Sequence, residues 1–136
     1  MVDGINYNVT DSVARRVEVI ANNYAYNVTI PASVKCDTTT YTVTSIGWSA
    51  FSNTSNLYQV TLPETIEAIC ERAFYGSNLF KINFPASLRV IDKYAFYSCK
   101  NLTEAILPDS LDFIGEYAFS QSGLLSVSIP KKVKYI

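Results

Sequence analysis

The sequence predicts an α/β solenoid. This is a right-handed coil of 22–23-residue units with a parallel sheet on one face, short helical turns and an N-terminal β cap. Three observations predict it. An Ile-x-x-x-Ala-Phe stretch recurs as Ile46–Phe51, Ile69–Phe74, Ile91–Phe96 and Ile114–Phe119. Its phenylalanines are 23, 22 and 23 residues apart, and its isoleucines, continued by Ile136, are 23, 22, 23 and 22 apart. Pro63, Pro85, Pro108 and Pro130 keep the same beat, with steps of 22, 23 and 22. Two landmarks in one register, at a period in the twenties, indicate stacked copies of one supersecondary unit. The third observation is the alternation of apolar and polar residues ahead of each proline, the pattern of a strand with one buried face.

The elements follow in order. Residues 1–40 are read as a β-hairpin-like cap and an irregular first repeat. Ile5-Asn6-Tyr7-Asn8-Val9 and Val17-Glu18-Val19-Ile20 alternate as half-buried strands do, with polar Thr10-Asp11-Ser12 between them. Such a cap shields the first apolar layer of a stack. Asn27-Val28-Thr29-Ile30-Pro31 resembles the end of a repeat strand and is expected to add to the sheet. Pro31 and Pro63 lie 32 residues apart, and the excess falls around Cys36 to Tyr41, where a run of threonines suggests an exposed loop. Regular units follow at about 41–63, 64–85, 86–108 and 109–130, with a partial unit at 131–136.

In these units strands are predicted at 57–62, 79–84, 102–107 and 124–129, pairing in parallel from one unit to the next. Each is closed by a proline that lacks an N–H. Inward positions are Leu57, Val60 and Leu62 and their counterparts one period on, including Ala105 where the others hold a larger aliphatic residue. The pairs Val43/Ile46, Ile66/Ile69, Leu88/Ile91, Leu111/Ile114 and Val133/Ile136 predict a short extended piece on the opposite wall. One or two helical turns are expected through each Ala-Phe pair, with the phenylalanine filling the core. The pattern stops mid-unit, and Tyr135 and Ile136 place apolar residues at the last layer. The sequence is therefore read as a cut inside a longer array, with end-to-end self-association through the C-terminal edge as one expected mode of assembly.

The pattern L-x-x-V-x-L-P, then I-x-x-I, then A-F and a small-residue turn, resembles the BspA-like class of leucine-rich repeats. Residues 43–136 carry it throughout. Tyr41 to Phe51 resembles that family's entry into its first full unit, and the opening Asp3-Gly4-Ile5-Asn6-Tyr7-Asn8-Val9 resembles its lead-in. The resemblance implies a leucine-rich-repeat solenoid. It also implies a secreted or cell-surface protein of the kind linked to adhesion and protein binding, with a protein or glycan on a host or neighbouring cell surface as partner.

Composition and motifs exclude most other chemistry. A net charge of −1 gives no phosphate-tracking surface, so nucleic acid is not expected as a partner. No apolar run approaches the ~18–20 residues that span a bilayer, so membrane insertion is not expected either. There is no basic-then-apolar leader in the opening segment. The chain has no histidine and only five scattered glycines, which leaves neither a Ser-His or Cys-His nucleophile nor a glycine-rich phosphate loop. Cys36, Cys70 and Cys99 are odd in number and lack metal-ligand spacing. They are read as small-residue positions, with no metal and no cofactor expected. Glu64, Glu67, Glu104, Asp109 and Asp112 are scattered as solvating charges, and no catalytic residue is assigned. The triplets at Asn8, Asn27, Asn53 and Asn101 match the glycan-acceptor pattern, which a chain rich in Asn, Ser and Thr produces by accident.

The functional expectation is a non-catalytic binding or adhesion module that uses the strand face. The alternative is a structural spacer within a longer surface protein. A binding face sets apolar residues among polar ones, whereas a spacer is uniformly polar. The outward positions are Gln59 and Thr61, Lys81 and Asn83, Glu104 and Ile106, and Ser126 and Ser128, with Tyr58 and Phe80 at the strand starts. These ten residues are the candidate partner-binding set. Lys81 and Glu104 stand one unit apart with opposite charges, so they are expected either to pair or to orient a partner.

Overall fold

A computed structural model describes residues 1–134 and 136, and among these it forms ten strands and no helix. β1 (Asn6–Asp11) and β2 (Arg16–Ile20) pair antiparallel, as their alternation requires. β2 runs parallel to β5 (Thr39–Ile46), which passes the ladder to β7 (Ala68–Ile69), β9 (Val90–Ile91) and β10 (Phe113–Ile114). In this wall Ile46, Ile69, Ile91 and Ile114 are stacked partners one unit apart. β4 (Ser33–Cys36) folds back antiparallel on β5, so the segment read as a loop at 36–41 is a hairpin tip between paired strands. A second sheet joins β3 (Tyr26–Thr29), β6 (Leu57–Thr61) and β8 (Lys81–Ile82), all in parallel, so the segment before Pro31 does add a strand.

The structure corrects the expected elements in two places. The strand face is narrower than predicted. Strands form at Leu57–Thr61 and Lys81–Ile82, but 102–107 and 124–129 are not strands, and the longest continuous ladder lies on the opposite wall. The expected helical turns are also absent, so the fold is a β-solenoid. Each Ala-Phe pair sits between two left-handed residues four positions apart: Ser49 and Asn53, Arg72 and Gly76, Tyr94 and Ser98, Tyr117 and Gln121. A positive φ cannot continue a right-handed helix. The N–H groups alternate in consequence. Ala73 donates to Cys70 O at 3.1 Å and Tyr75 to Arg72 O at 3.0 Å, closing tight turns within the coil. The intervening Phe74 N–H donates to Ala95 O in the next coil at 2.8 Å, as Phe51 does to Ala73 O at 2.7 Å and Phe96 to Ala118 O at 2.7 Å. The turns are thus a third line of inter-coil bonding.

Small side chains secure the corners. After each proline the chain turns back on itself, with Ile66, Leu88 and Leu111 N–H bonded to the proline carbonyls at 3.0–3.3 Å. Within these corners Thr65, Ser87 and Ser110 donate to Val43, Ile66 and Leu88 O in the preceding coil at 2.6–2.7 Å. The Cys99 thiol donates to Phe74 O at 3.0 Å, which is why that position takes Ser, Thr or Cys.

The core is a column of rings. Phe51, Phe74, Phe96 and Phe119 stack face to face at 5.0, 5.0 and 5.2 Å between centroids, and Tyr24 tops the column 4.5 Å from Phe51. Phe74 and Phe96 are fully buried, as predicted. Burial of each such ring is worth ~1.5–3 kcal/mol. Phe84 enters edge-on to both Phe96 and Phe119. At the C-terminal end Ile136 is exposed, while Tyr135, expected beside it, lies outside the described residues.

Candidate functional site

The strand wall carries several exposed apolar side chains, while others stand on the turns (Trp48, Tyr117) and in the cap (Val9, Val13). Tyr58 and Phe80 are 52% and 46% exposed and stack on each other at 5.1 Å, one coil apart. Ile106 stands out at 76%. Tyr26 extends the wall at its N-terminal end, and Leu125 occupies the same position in its unit as Tyr58 and Phe80 do in theirs, two units beyond Phe80. Neither Tyr26 nor Leu125 belonged to the expected set, although Leu125 follows Tyr58 and Phe80 in the 22–23-residue register.

The polar candidates divide by what their side chains already hold. Asn83 stitches two coils together, accepting from Leu62 N–H at 2.7 Å and donating to Leu62 O at 2.9 Å. Gln59 donates to Thr61 Oγ1 at 3.2 Å and lies beside Lys81 in the ladder. Lys81 and Glu104 are exposed and, among the described residues, form no ion pair with each other. Ser126 and Ser128 are exposed on the last coil.

A groove of about 530 Å³ runs between residues 80–84 and 103–106. It collects Phe80, Lys81, Asn83, Glu104 and Ile106 from the expected set, together with Ile82, Phe84 and Thr103. Tyr58 adjoins it through Phe80, while Ser126 and Ser128 lie outside it.

On the other faces many side chains pair with one another, although Trp48 and Tyr117 remain exposed on the turns. On the I-x-x-I wall Arg16 pairs with Glu67 at 3.1 Å and Arg89 pairs with Asp112. Glu67, Arg89 and Asp112 also follow one another through backbone bonds, so unlike charges alternate down one column. Lys93 reaches Glu71 at 3.5 Å. Along the turns, Tyr75 stacks on Tyr97 at 5.1 Å and Tyr94 on Tyr117 at 5.4 Å, with the Arg72 guanidinium over Tyr75 and Tyr94. Each stack joins tyrosines one period apart, and neither Tyr75 nor Arg72 belonged to the expected binding set.

Among the described residues no group of three His, Cys, Asp or Glu side chains is placed to hold a metal. Burial, with Glu18 and Asp92 nearby, pushes the Cys70 thiol up to about 11, and burial likewise pushes Cys99 up to about 11. Both are therefore protonated and poor nucleophiles at neutral pH. No helix among the described residues is long and apolar enough to cross a membrane.

The family described as "BspA type Leucine rich repeat region" matches residues 19–136 in six copies. The structure is similar to a leucine-rich repeat protein from Bacteroides ovatus, with a TM-score of 0.92 and 33% identity over 100% of this chain and 36% of that one. It is similar to the leucine-rich repeat protein of T. pallidum at a TM-score of 0.87 and 28% identity, over 100% of this chain and 63% of that one. It also resembles a leucine-rich repeat protein from Bacteroides capillosus at a TM-score of 0.81 and 27% identity, over 93% of this chain and 94% of that one. The chain thus spans about a third of the first of these proteins and less than two thirds of the second. No curated protein matches the chain.

Proposed function

The chain belongs to the BspA-type leucine-rich repeat family, and from that premise we propose that it is a non-catalytic protein-binding module of a secreted or cell-surface protein. Its strand wall is the contact face. One observation carries this reading: Tyr26, Tyr58, Phe80, Ile106 and Leu125 are all exposed on that wall, among Lys81, Glu104 and the two serines. A spacer has no use for such a surface, and contact patches of this composition are where binding energy concentrates. The opposite wall, with its charges paired along the stack, offers a partner little. The surface location is what the family resemblance implies. Self-association through the C-terminal edge is a further proposal, which sedimentation of the chain at several concentrations tests.

The experiment is a screen of the labelled chain against an array of extracellular-matrix and cell-surface proteins and glycans. Tyr58→Ser and Ile106→Ser are run beside Trp48→Ser and Tyr117→Ser. A hit that the first pair weakens about tenfold or more, and the second pair leaves intact, supports the reading. Binding lost only in the second pair overturns it, as does an array with no hit at all.

A further inference from the structure

Building on the proposed use of the strand wall, we propose that the groove between 80–84 and 103–106 takes an extended peptide segment of the partner. The segment adds to the free edge of β8 and seats an apolar side chain against Ile82 and Phe84.

The backbone supplies the first argument. β8 is the outer strand of its sheet, bonded on one side to β6. On the other side no backbone hydrogen bond joins it to residues 102–107, although every wall of the solenoid before it is stitched coil to coil. Two side chains beside this gap differ from those of the other units. Phe84 replaces the leucine or isoleucine found before the other prolines, and its ring leans along the stack to meet Phe119 edge-on. Ala105 takes the inward position that Val60, Ile82 and Val127 hold in the other units. No backbone hydrogen bond joins segment 102–107 to 79–84 on one side or to 124–129 on the other. An unpaired strand edge offers backbone donors and acceptors in the spacing that another extended chain satisfies. A glycan or a compact metabolite does not reproduce that spacing.

The lining supplies the second. Ile82 and Phe84 face inward, yet both line the groove, so it reaches through the wall to core side chains. Phe80 and Ile106 form apolar lips around that floor. Side chains alternate along a strand. A peptide lying along β8 therefore directs every second residue to the floor and the others outward. The outward ones meet Lys81 on one lip and Glu104 on the other, two exposed charges with no ion pair to each other. The preferred segment alternates apolar and polar residues, with an acidic residue toward Lys81 and a basic one toward Glu104. Pro85 ends the edge and keeps the contact short.

The test is a display library of random linear dodecapeptides panned on the intact chain, with enriched peptides resynthesised and titrated. Enriched peptides are expected to alternate as described. Methylating their central backbone nitrogens should weaken them about tenfold. Lys81→Glu should reverse the preference for an acidic residue, and Thr103→Trp, which fills the groove from an exposed position on its lining, should abolish binding. Failure to enrich any peptide overturns the proposal. So do peptides indifferent to N-methylation and to Lys81→Glu, the latter an exposed change that does not threaten the fold. An array partner weakened by Tyr58→Ser but not by Thr103→Trp or Lys81→Glu leaves the wall reading standing and overturns the groove. A partner indifferent to all three overturns both.

Discussion

Phe74 and Phe96 lie face to face in the centre of the solenoid, with centroids 5.0 Å apart and planes within 5° of parallel. One ring per coil, each resting on the next, keeps successive coils in register. Phe74 has a ring on both faces, so its loss opens a cavity that neither neighbour closes without leaving the other. Phe74→Ala should cost about 3–5 kcal/mol, a large share of the ~5–15 kcal/mol that a domain holds. Denaturant unfolding followed by far-ultraviolet circular dichroism measures it. A loss below about 1 kcal/mol would contradict the column as the main source of stability.

The left-handed turn residues make a prediction of opposite sign. Gln121 has φ of 57° and an exposed side chain. Glycine adopts that conformation without the penalty an L side chain meets. Gln121→Gly should therefore stabilise the chain by about 0.5–1 kcal/mol, while Gln121→Val should destabilise it. Thermal melts of the two variants beside the parent decide this. Equal and unfavourable effects of both would show that the turn geometry is not the determinant.

The thiols differ in reach. Cys36 is exposed, Cys70 half-buried and Cys99 buried. At pH 8 iodoacetamide should modify Cys36 alone in the folded chain, read by mass spectrometry. The folded values near 11 for Cys70 and Cys99 stand above the ~8.5 of an unfolded thiol. A group raised on folding contributes stability that is complete below its unfolded value and lost as pH rises through the folded one. The urea midpoint should thus fall between about pH 8.5 and 11, and the fall should shrink in Cys70→Ala. An unchanged midpoint over that range would show that these thiols do not ionise with unfolding.

Periodicity made most of the fold legible. Phe51, Phe74, Phe96 and Phe119 marked the column, and the prolines marked where each wall ends. Hydrophobic spacing could not distinguish a helical turn from two left-handed corners, because Arg72, Tyr94 and Tyr117 carry none of the glycine or asparagine signal such corners usually show. The lack of pairing at 102–107 was not legible, since the alternation there matches the other units and Ala105 stood out only as a small inward residue. Nor was the edge-on contact of Phe84 with Phe119, which is a tertiary fact. For the site, outward alternation marked Ile106, which is exposed, and Tyr58 and Phe80, taken as the residues at the strand starts, are exposed as well. It also picked Asn83, whose amide bonds to Leu62 across the coils, because alternation reports direction and not hydrogen bonding.

The strand wall as the contact face is the claim on which the functional account rests. A photoreactive phenylalanine analogue placed singly at Tyr58, Ile106, Trp48 or Tyr117 tests it, with each labelled chain irradiated on the same array of matrix and cell-surface proteins. All four positions are exposed, so each can report a neighbour. The account predicts covalent adducts from positions 58 and 106 and none from 48 and 117. Adducts confined to 48 and 117 would place the partner on the turns and contradict it.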